Sequence, residues 1–471
     1  MSVEITSDSL TANIASIDKS REGSLTELFE KSARKRSKKQ DMSNAFKKTK
    51  KTDKVNTGRR KKISKKVSQD TQKTAKAIEA EKQKWLFDPW VIIIAMTIIA
   101  LGITMVGSAS ISIAERNNGE PFYYLYRQLI AAGLGMFLGS IVLLTPIKVW
   151  QKTGPILLFT GIILLVAVLI PGIGREINGS ARWIPMGIFN LQVSEIMKLA
   201  MVIYLAGYLV RHNENVRKTI RGFMMPMAVL ASVAVLLLME PDLGATVVIS
   251  ATALGMLFLG GVRLWQFLIL MLIMAVSVYY LIILEPYRLE RLQSFMNPWA
   301  DPFDTGFQLT QSLIAFGRGE LTGVGLGNSI QKLFYLPEGH TDFIFAVLAE
   351  ELGGIGAITV IVLFAALVSR VFILAKKADQ IDHAFSAYMM FGLAIWIALQ
   401  AFVNIAVNMG ALPTKGLTLP LMSYGGSSMM IMCVVIALIL RADHETRFKY
   451  PLGNGIWSAL SGHNKTKKKL F

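Results

Sequence analysis

The residues with chemistry in their types and spacing lie in the polar stretch 306–353, GFQLTQSLIAFGRGELTGVGLGNSIQKLFYLPEGHTDFIFAVLAEELG. It separates two apolar runs and carries Glu338, His340 and Asp342 immediately before the apolar sequence 343–349. A carboxylate at the mouth of a membrane helix is costly to desolvate, which makes Asp342 a candidate functional group. Asp342 or Thr341 can equally cap the helix that follows, and both readings stand at this point. His340 can tune Asp342 or serve as a neutral structural histidine.

Other polar groups share the same side of the chain. The segment 171–193 carries Arg182, Glu240-Pro241-Asp242 sits between two apolar runs, and the long loop adds Arg288, Arg291, Arg318 and Lys332. A short segment, ALPTKGLTLPLMSY at 411–424, carries Thr414 and Lys415 and runs into GGSS at 425–428, which includes Ser427. Arg, Lys and backbone donors hold phosphate-like anions. Together with one or two carboxylates at a water–lipid boundary, they suit a lipid-linked phosphate or diphosphate. Arg288 and Arg291 read as ordinary loop charges, whereas Lys415, in a short proline-flanked loop, reads as a ligand. Glu195 and Lys198, three apart, read as a local pair. At least one of Glu350 and Glu351 must face the bundle interior or a watery cavity, because carboxylates within a span are expensive. No HExxH, Walker A or strand-borne GxGxxG is present, so peptidase, ATPase and dinucleotide chemistry are unsupported.

These groups need a scaffold, and the composition supplies one. Of 471 residues, 52% are hydrophobic, which indicates a polytopic membrane protein. The single cysteine excludes a disulfide within the chain. Residues 1–87 are polar; up to Pro89 the chain holds 23 Lys and Arg against 12 Asp and Glu, with 17 of the basic residues in 31–66. Such a segment is expected to be a disordered cytoplasmic tail, attracted to anionic membrane lipids. Its scarcity of aromatic residues argues against a nucleic-acid partner.

Ten runs are apolar enough to be spans, at about 90–110, 128–145, 153–171, 194–211, 223–239, 243–260, 265–284, 342–370, 385–409 and 425–441. The expected fold is therefore an all-α polytopic membrane domain over 88–450. It has ten transmembrane helices, cytoplasmic termini, a large outer loop at 285–341 between helices 7 and 8, and a basic tail at 451–471. The basic residues of the short connectors, such as Lys148, Arg217, Arg263 and Lys376, support that sidedness.

The motifs NPWADPFDTGFQLTQSLIAFGRGELTGVGLGNSIQKLFYLPEGHTDFIFAVLAEELG, LPTKGLTLPLMSYGGSS, NGSARWIPMGIFNLQVSE and MEPDLGATVV closely resemble those of the SEDS family (shape, elongation, division and sporulation proteins). The resemblance covers about 88–450, and LPTKGLT and FGRG resemble the division branch more than the elongation branch. Phe334 stands where the division branch commonly has an acidic residue, and Gly339 where alanine is common. The resemblance implies a peptidoglycan glycosyltransferase of the bacterial inner membrane, acting at the division septum. Its implied substrate is lipid II, and its implied partners are a class B penicillin-binding transpeptidase and other division proteins. It also implies that Asp342 is the essential aspartate, as general base or as ligand to a divalent cation, Mg or Mn. Lys415, Arg182, Arg318, Lys332, Glu338, His340, Thr414 and Ser427 are the candidates around the substrate. Competing readings are a lipid II flippase, an elongation-type polymerase and a non-catalytic scaffold. A transporter needs polar groups deep in several spans, whereas here they gather on one face.

Overall fold

Asp88 and Pro89 start the first helix. In the computed structural model, which describes residues 86–448 except 178, 179, 188, 189, 285, 305 and 415, Asp88 Oδ1 accepts the Val91 amide at 3.1 Å. Proline at the first helical position gives up no hydrogen bond there. The helix, α1 (Pro89–Asn118), ends on left-handed Gly119. It is followed by α2 (Tyr123–Leu144) and α3 (Ile147–Val168). Next comes a small antiparallel sheet of β1 (Arg175–Ile177), β2 (Ser180–Pro185) and β3 (Asn190–Gln192), with Trp183 opposite Gln192 and Ile184 opposite Leu191. Then follow α4 (Val193–Lys218), α5 (Ile220–Met239), α6 (Leu243–Leu259) and α7 (Leu264–Ile283). The 285–341 segment is not a plain loop: it forms α8 (Pro286–Met296), α9 (Phe307–Gly319) and a π turn at Gln331–Tyr335. The chain closes with α10 (Ile344–Gln380), α11 (Ala384–Asn408) and α12 (Gly426–Arg447). The expected tails at 1–85 and 449–471 fall outside the described residues.

Among the described residues, eight helices are long and apolar enough to cross a membrane, and the apolar helix α6 has only 17 residues. This is a polytopic helical membrane protein with a small sheet that sequence reading did not anticipate. The core contact of α2 with α12 rests on Gly135 and Gly139, one turn apart. A Cβ on Gly135 would lie 3.0 Å from Cys433 Sγ and from Met430 Cα. Small residues at this spacing let two backbones approach closely. At one end of the bundle, Asp88 receives Arg370 at 2.6 Å and Arg447 at 3.3 Å, so the start of α1 is tied to α10 and α12. From Leu268 to Leu284, α7 has no buried side chain among the described residues.

α10 is broken at Gly353, whose φ of 69° and ψ of −170° interrupt the helix. A broken helix within a membrane protein needs its freed amides and carbonyls satisfied by other protein groups. The glycine-rich segment does this. Val324 N donates to Glu350 O and Gly325 N to Glu351 O, both at 3.0 Å. In return, Gly354 N donates to Glu320 O at 2.8 Å and Ile355 N to Leu321 O at 3.1 Å. The approach is so close that a Cβ on Gly323 would lie 2.2 Å from Glu351 O. GRGELTGVGLG is thus a backbone junction.

Candidate active site

Asp342 stands two residues ahead of α10. The residue that caps this helix is Phe343, and no side chain caps it, so neither Thr341 nor Asp342 serves as the cap. The Asp342 carboxyl is half-buried and lines a cavity of about 870 Å³. A volume of this order accommodates a sizeable ligand headgroup. Its lining combines apolar side chains, Ile130, Leu134, Leu238 and Met430, with polar ones that include Asp242, Glu338, Thr341 and Asp342. Arg127, Arg182 and Arg291 add three guanidinium groups to its lining.

The local acid–base balance is unusual. Burial pushes the Asp342 carboxyl up to about 7; the negative charges of Glu338 and Asp242 add to that, while Arg182 and Arg291 oppose it. A carboxylate poised near neutrality is suited to taking a proton. Glu338 is held in a left-handed backbone conformation, φ 60°, and its Oε2 accepts the Thr341 hydroxyl at 2.6 Å. His340 is buried between the rings of Tyr124, at 4.7 Å, and Tyr424, at 5.4 Å. Burial lowers its pKa, which keeps the imidazole neutral. His340 therefore packs behind the acid segment and does not line the cavity.

Arg182, on β2, donates to the carbonyls of Glu240 at 3.2 Å and Pro241 at 2.6 Å, fixing the α5–α6 turn against the sheet. Glu240 itself is fully buried, and burial next to Asp242 pushes it up to about 8, so it is protonated at neutral pH. Asp242 Oδ1 caps α6 through Ala245 N at 3.0 Å, and its Oδ2 is buried without a hydrogen bond.

The sequence candidates separate into two groups. Arg182, Glu338, Asp342 and Thr414 line the cavity together. Lys415 lies outside the described residues, between Thr414 and Gly416, both of which line it. Arg318 and Lys332 are not among the lining residues. Arg318 pairs with Glu350 at 2.5 Å, and Lys332 with Glu351 at 2.9 Å. Ser329 also donates to Glu350, and Ser108 Oγ to Glu351 at 2.7 Å. These bonds clamp the 318–332 segment onto α10, and both of the α10 carboxylates are paired inside the protein. Ser427 is buried and accepts the Gln192 amide at 3.2 Å, which seats β3 on α12, while its neighbour Ser428 lines the cavity. Glu195 and Lys198 pair at 2.7 Å, as the spacing suggested.

Arg291, expected to be an ordinary loop charge, lines the cavity and donates to the Thr414 carbonyl at 3.4 Å. Arg127 was missed altogether; its one sequence signal is a lone cation at the start of an apolar span, bonded here to the Tyr123 hydroxyl at 2.8 Å. Phe334 adopts φ 69° and lies under the Arg116 guanidinium, 4.8 Å from its ring centre. At this position an aromatic face meets the cation that an acidic residue would otherwise attract. Among the described residues, no cluster of three or more His, Cys, Asp or Glu is arranged to hold a metal.

Residues 89–448 match the family model described as "Cell cycle protein", that of FtsW, RodA and SpoVE. The chain belongs to this family. A relative from Nitrosococcus halophilus, named "Probable peptidoglycan glycosyltransferase FtsW", is 57% identical over 354 residues, covering 75% of this chain and 91% of the relative. A relative of the same name from Coxiella burnetii is 52% identical, covering 77% and 97%. Among solved structures, a chain of a peptidoglycan synthase complex that coordinates polymerization and crosslinking is 30% identical, with a TM-score of 0.64, covering 78% of this chain and all of that one. The rod shape determining protein RodA of Thermus thermophilus is 27% identical, with a TM-score of 0.58, covering 77% and 98%. In this family framework the cavity beside Asp342 is the candidate active site.

Proposed function

We propose that the protein is a peptidoglycan glycosyltransferase that polymerises lipid II into glycan strands for the division septum. The observation that carries this reading is one cavity whose lining combines apolar side chains, three guanidinium groups and a carboxyl poised near neutrality. An amphiphile with an anionic headgroup matches that lining. Relatives about half identical over nearly their whole length bear the glycosyltransferase name, which supports the same reaction here.

In this mechanism Asp342 takes the proton of the acceptor sugar hydroxyl as its oxygen attacks the anomeric carbon of the donor. The bond from that carbon to the diphosphate oxygen breaks, and the diphosphate leaves with the electron pair. Arg182, Arg291 and Arg127, with Lys415 from the adjoining loop, stabilise the charge that develops on it. Diphosphate is a good leaving group, so no second carboxylic acid is demanded. Mg²⁺ is commonly held by one or two carboxylates plus substrate phosphates. Asp342 and Asp242, with its unpartnered Oδ2, would fit that role, and a bound cation would supply further charge neutralisation.

We read α6 and α7 as two further spans beside the eight long helices, giving ten; the basic residues of the short connectors then favour cytoplasmic termini and a cavity on the outer face. A class B penicillin-binding transpeptidase is the proposed partner, within the division machinery of the inner membrane. The solved complex with both polymerization and crosslinking supports such a pairing. The test is polymerisation of lipid II by purified protein with that partner, glycan chains being resolved on a gel. Asp342→Asn should abolish chains while leaving membrane insertion and partner binding intact; near-parent glycan synthesis by this variant would sink the role given to Asp342.

A further inference from the structure

Three amide side chains on α11 have no role in the chemistry above. Gln400, Asn404 and Asn408 recur every fourth residue in QAFVNIAVN, so they stack on one face of an apolar helix. They are 0%, 2% and 0% exposed. A buried amide must be paired, and these are paired with the main chain of two separate segments. Gln400 Nε2 donates to Thr418 O at 3.0 Å. Asn404 Nδ2 donates to Leu417 O at 2.6 Å and to Asp342 O at 2.8 Å. Asn408 Nδ2 donates to Asp342 O at 2.9 Å, and its Oδ1 accepts the Ala346 amide at 3.1 Å. The Ala346 amide also donates to the Phe343 carbonyl at 3.0 Å, so Asn408 shares an amide of the uncapped first turn of α10.

We propose that Gln400, Asn404 and Asn408 are positioning residues that hold the acid segment 340–343 and the 411–424 loop in one fixed relation, so that the Asp342 carboxyl keeps its place against Thr414 and Gly416 in the wall of the same cavity. Asn404 is the joint. Its two amide hydrogens go one to each segment, and its Leu417 partner lies two residues beyond Lys415 in the chain. Asn408 grips the Asp342 carbonyl from the second side. The stripe also bonds within α11, where Gln400 Oε1 accepts Trp396 Nε1 at 2.8 Å, and to α4, where the same oxygen accepts Lys198 Nζ at 2.7 Å. Beyond those packing bonds it reaches both segments that flank the cavity.

The inference rests on the reading of Asp342 as the acting carboxylate, and the experiment separates the two. Asn404→Asp keeps the shape but turns lone pairs toward two carbonyls. In full-length protein with its partner transpeptidase and lipid II, kcat should fall on the order of 100-fold, the usual size of a misplacement near the reacting atoms. KM should stay within about threefold, since substrate contacts remain. Asn404→Gln, which keeps both donors on a longer stem, should recover part of the loss. A kcat within about threefold of the parent, or a raised KM with kcat preserved, overturns the proposal. Asp342→Asn is run alongside. If it is inactive while Asn404→Asp behaves like the parent, the positioning role alone fails; if it is active, the reading of Asp342 fails first and this inference with it. Should Asn404→Asp not yield folded protein, Asn408→Ser, which weakens one of the two grips on the Asp342 carbonyl, is read against the same outcomes.

Discussion

Asp342 acquires its character from neighbours that oppose one another. Burial and Glu338 raise its pKa to about 7, with Arg182 and Arg291 holding it there. The basic form grows as pH rises through that value, so polymerisation should climb across about pH 6 to 8. Glu338→Gln removes a negative neighbour, makes ionisation of Asp342 easier and lowers its pKa. The acid limb of the kcat profile should then move to lower pH by a few tenths to about one unit. An unmoved limb, or one moved to higher pH, would show that the Glu338 charge does not act on Asp342. Asp342 and Glu338 were legible in the sequence because two carboxyls stand together where apolar residues resume. Arg182 and Asp242 were marked there too, and Arg291 was read as an ordinary loop charge; that the three converge on Asp342 was not legible, because they come from three distant segments.

Among the elements, the apolar helices were the most legible: α5, expected at about 223–239, forms at Ile220–Met239, and α11, expected at 385–409, at Ala384–Asn408. Hydropathy marks such segments because each must match an apolar environment along its length. The sheet escaped because β1 and β3 have only three residues each, too few for alternation to register. The break in α10 escaped because its cause is tertiary: Gly353 is an ordinary helical glycine until the 319–325 backbone is laid beside it. This junction makes a comparative prediction. Gly323 and Gly327 both have positive φ, 79° and 83°, but a Cβ meets Glu351 O at 2.2 Å on the first and nothing within 4 Å on the second. Gly327→Ala should cost only the ~1–2 kcal/mol of a left-handed alanine. Gly323→Ala should cost clearly more, because the segment must also move off α10. Thermal unfolding of the two variants in detergent checks this, and equal losses would mean that the junction has slack.

At the scale of the whole molecule, charged pairs tie distant segments of the bundle together. Asp88 with Arg370 and Arg447 joins the start of α1 to α10 and α12; Glu350 and Glu351 with Arg318 and Lys332 anchor the long segment on α10. Removing one partner of a buried pair leaves the other charge uncompensated, so these pairs fix an arrangement more than they add stability.

The short length of α6 bears on how the protein meets the surrounding bilayer. Its 17 residues rise only ~26 Å, less than the ~30 Å of a typical hydrocarbon core. A short lipid-facing span would thin the bilayer around it. From Leu243 to Leu257, however, no α6 side chain is exposed, so the helix is matched to the protein around it and not to lipid. Its short length therefore places Asp242, which caps it and lines the cavity, below the rim of its neighbours without deforming the membrane. In vesicles of otherwise constant composition, polymerisation should change little as the lipid chains lengthen; a steep decline would show that α6 meets the bilayer directly.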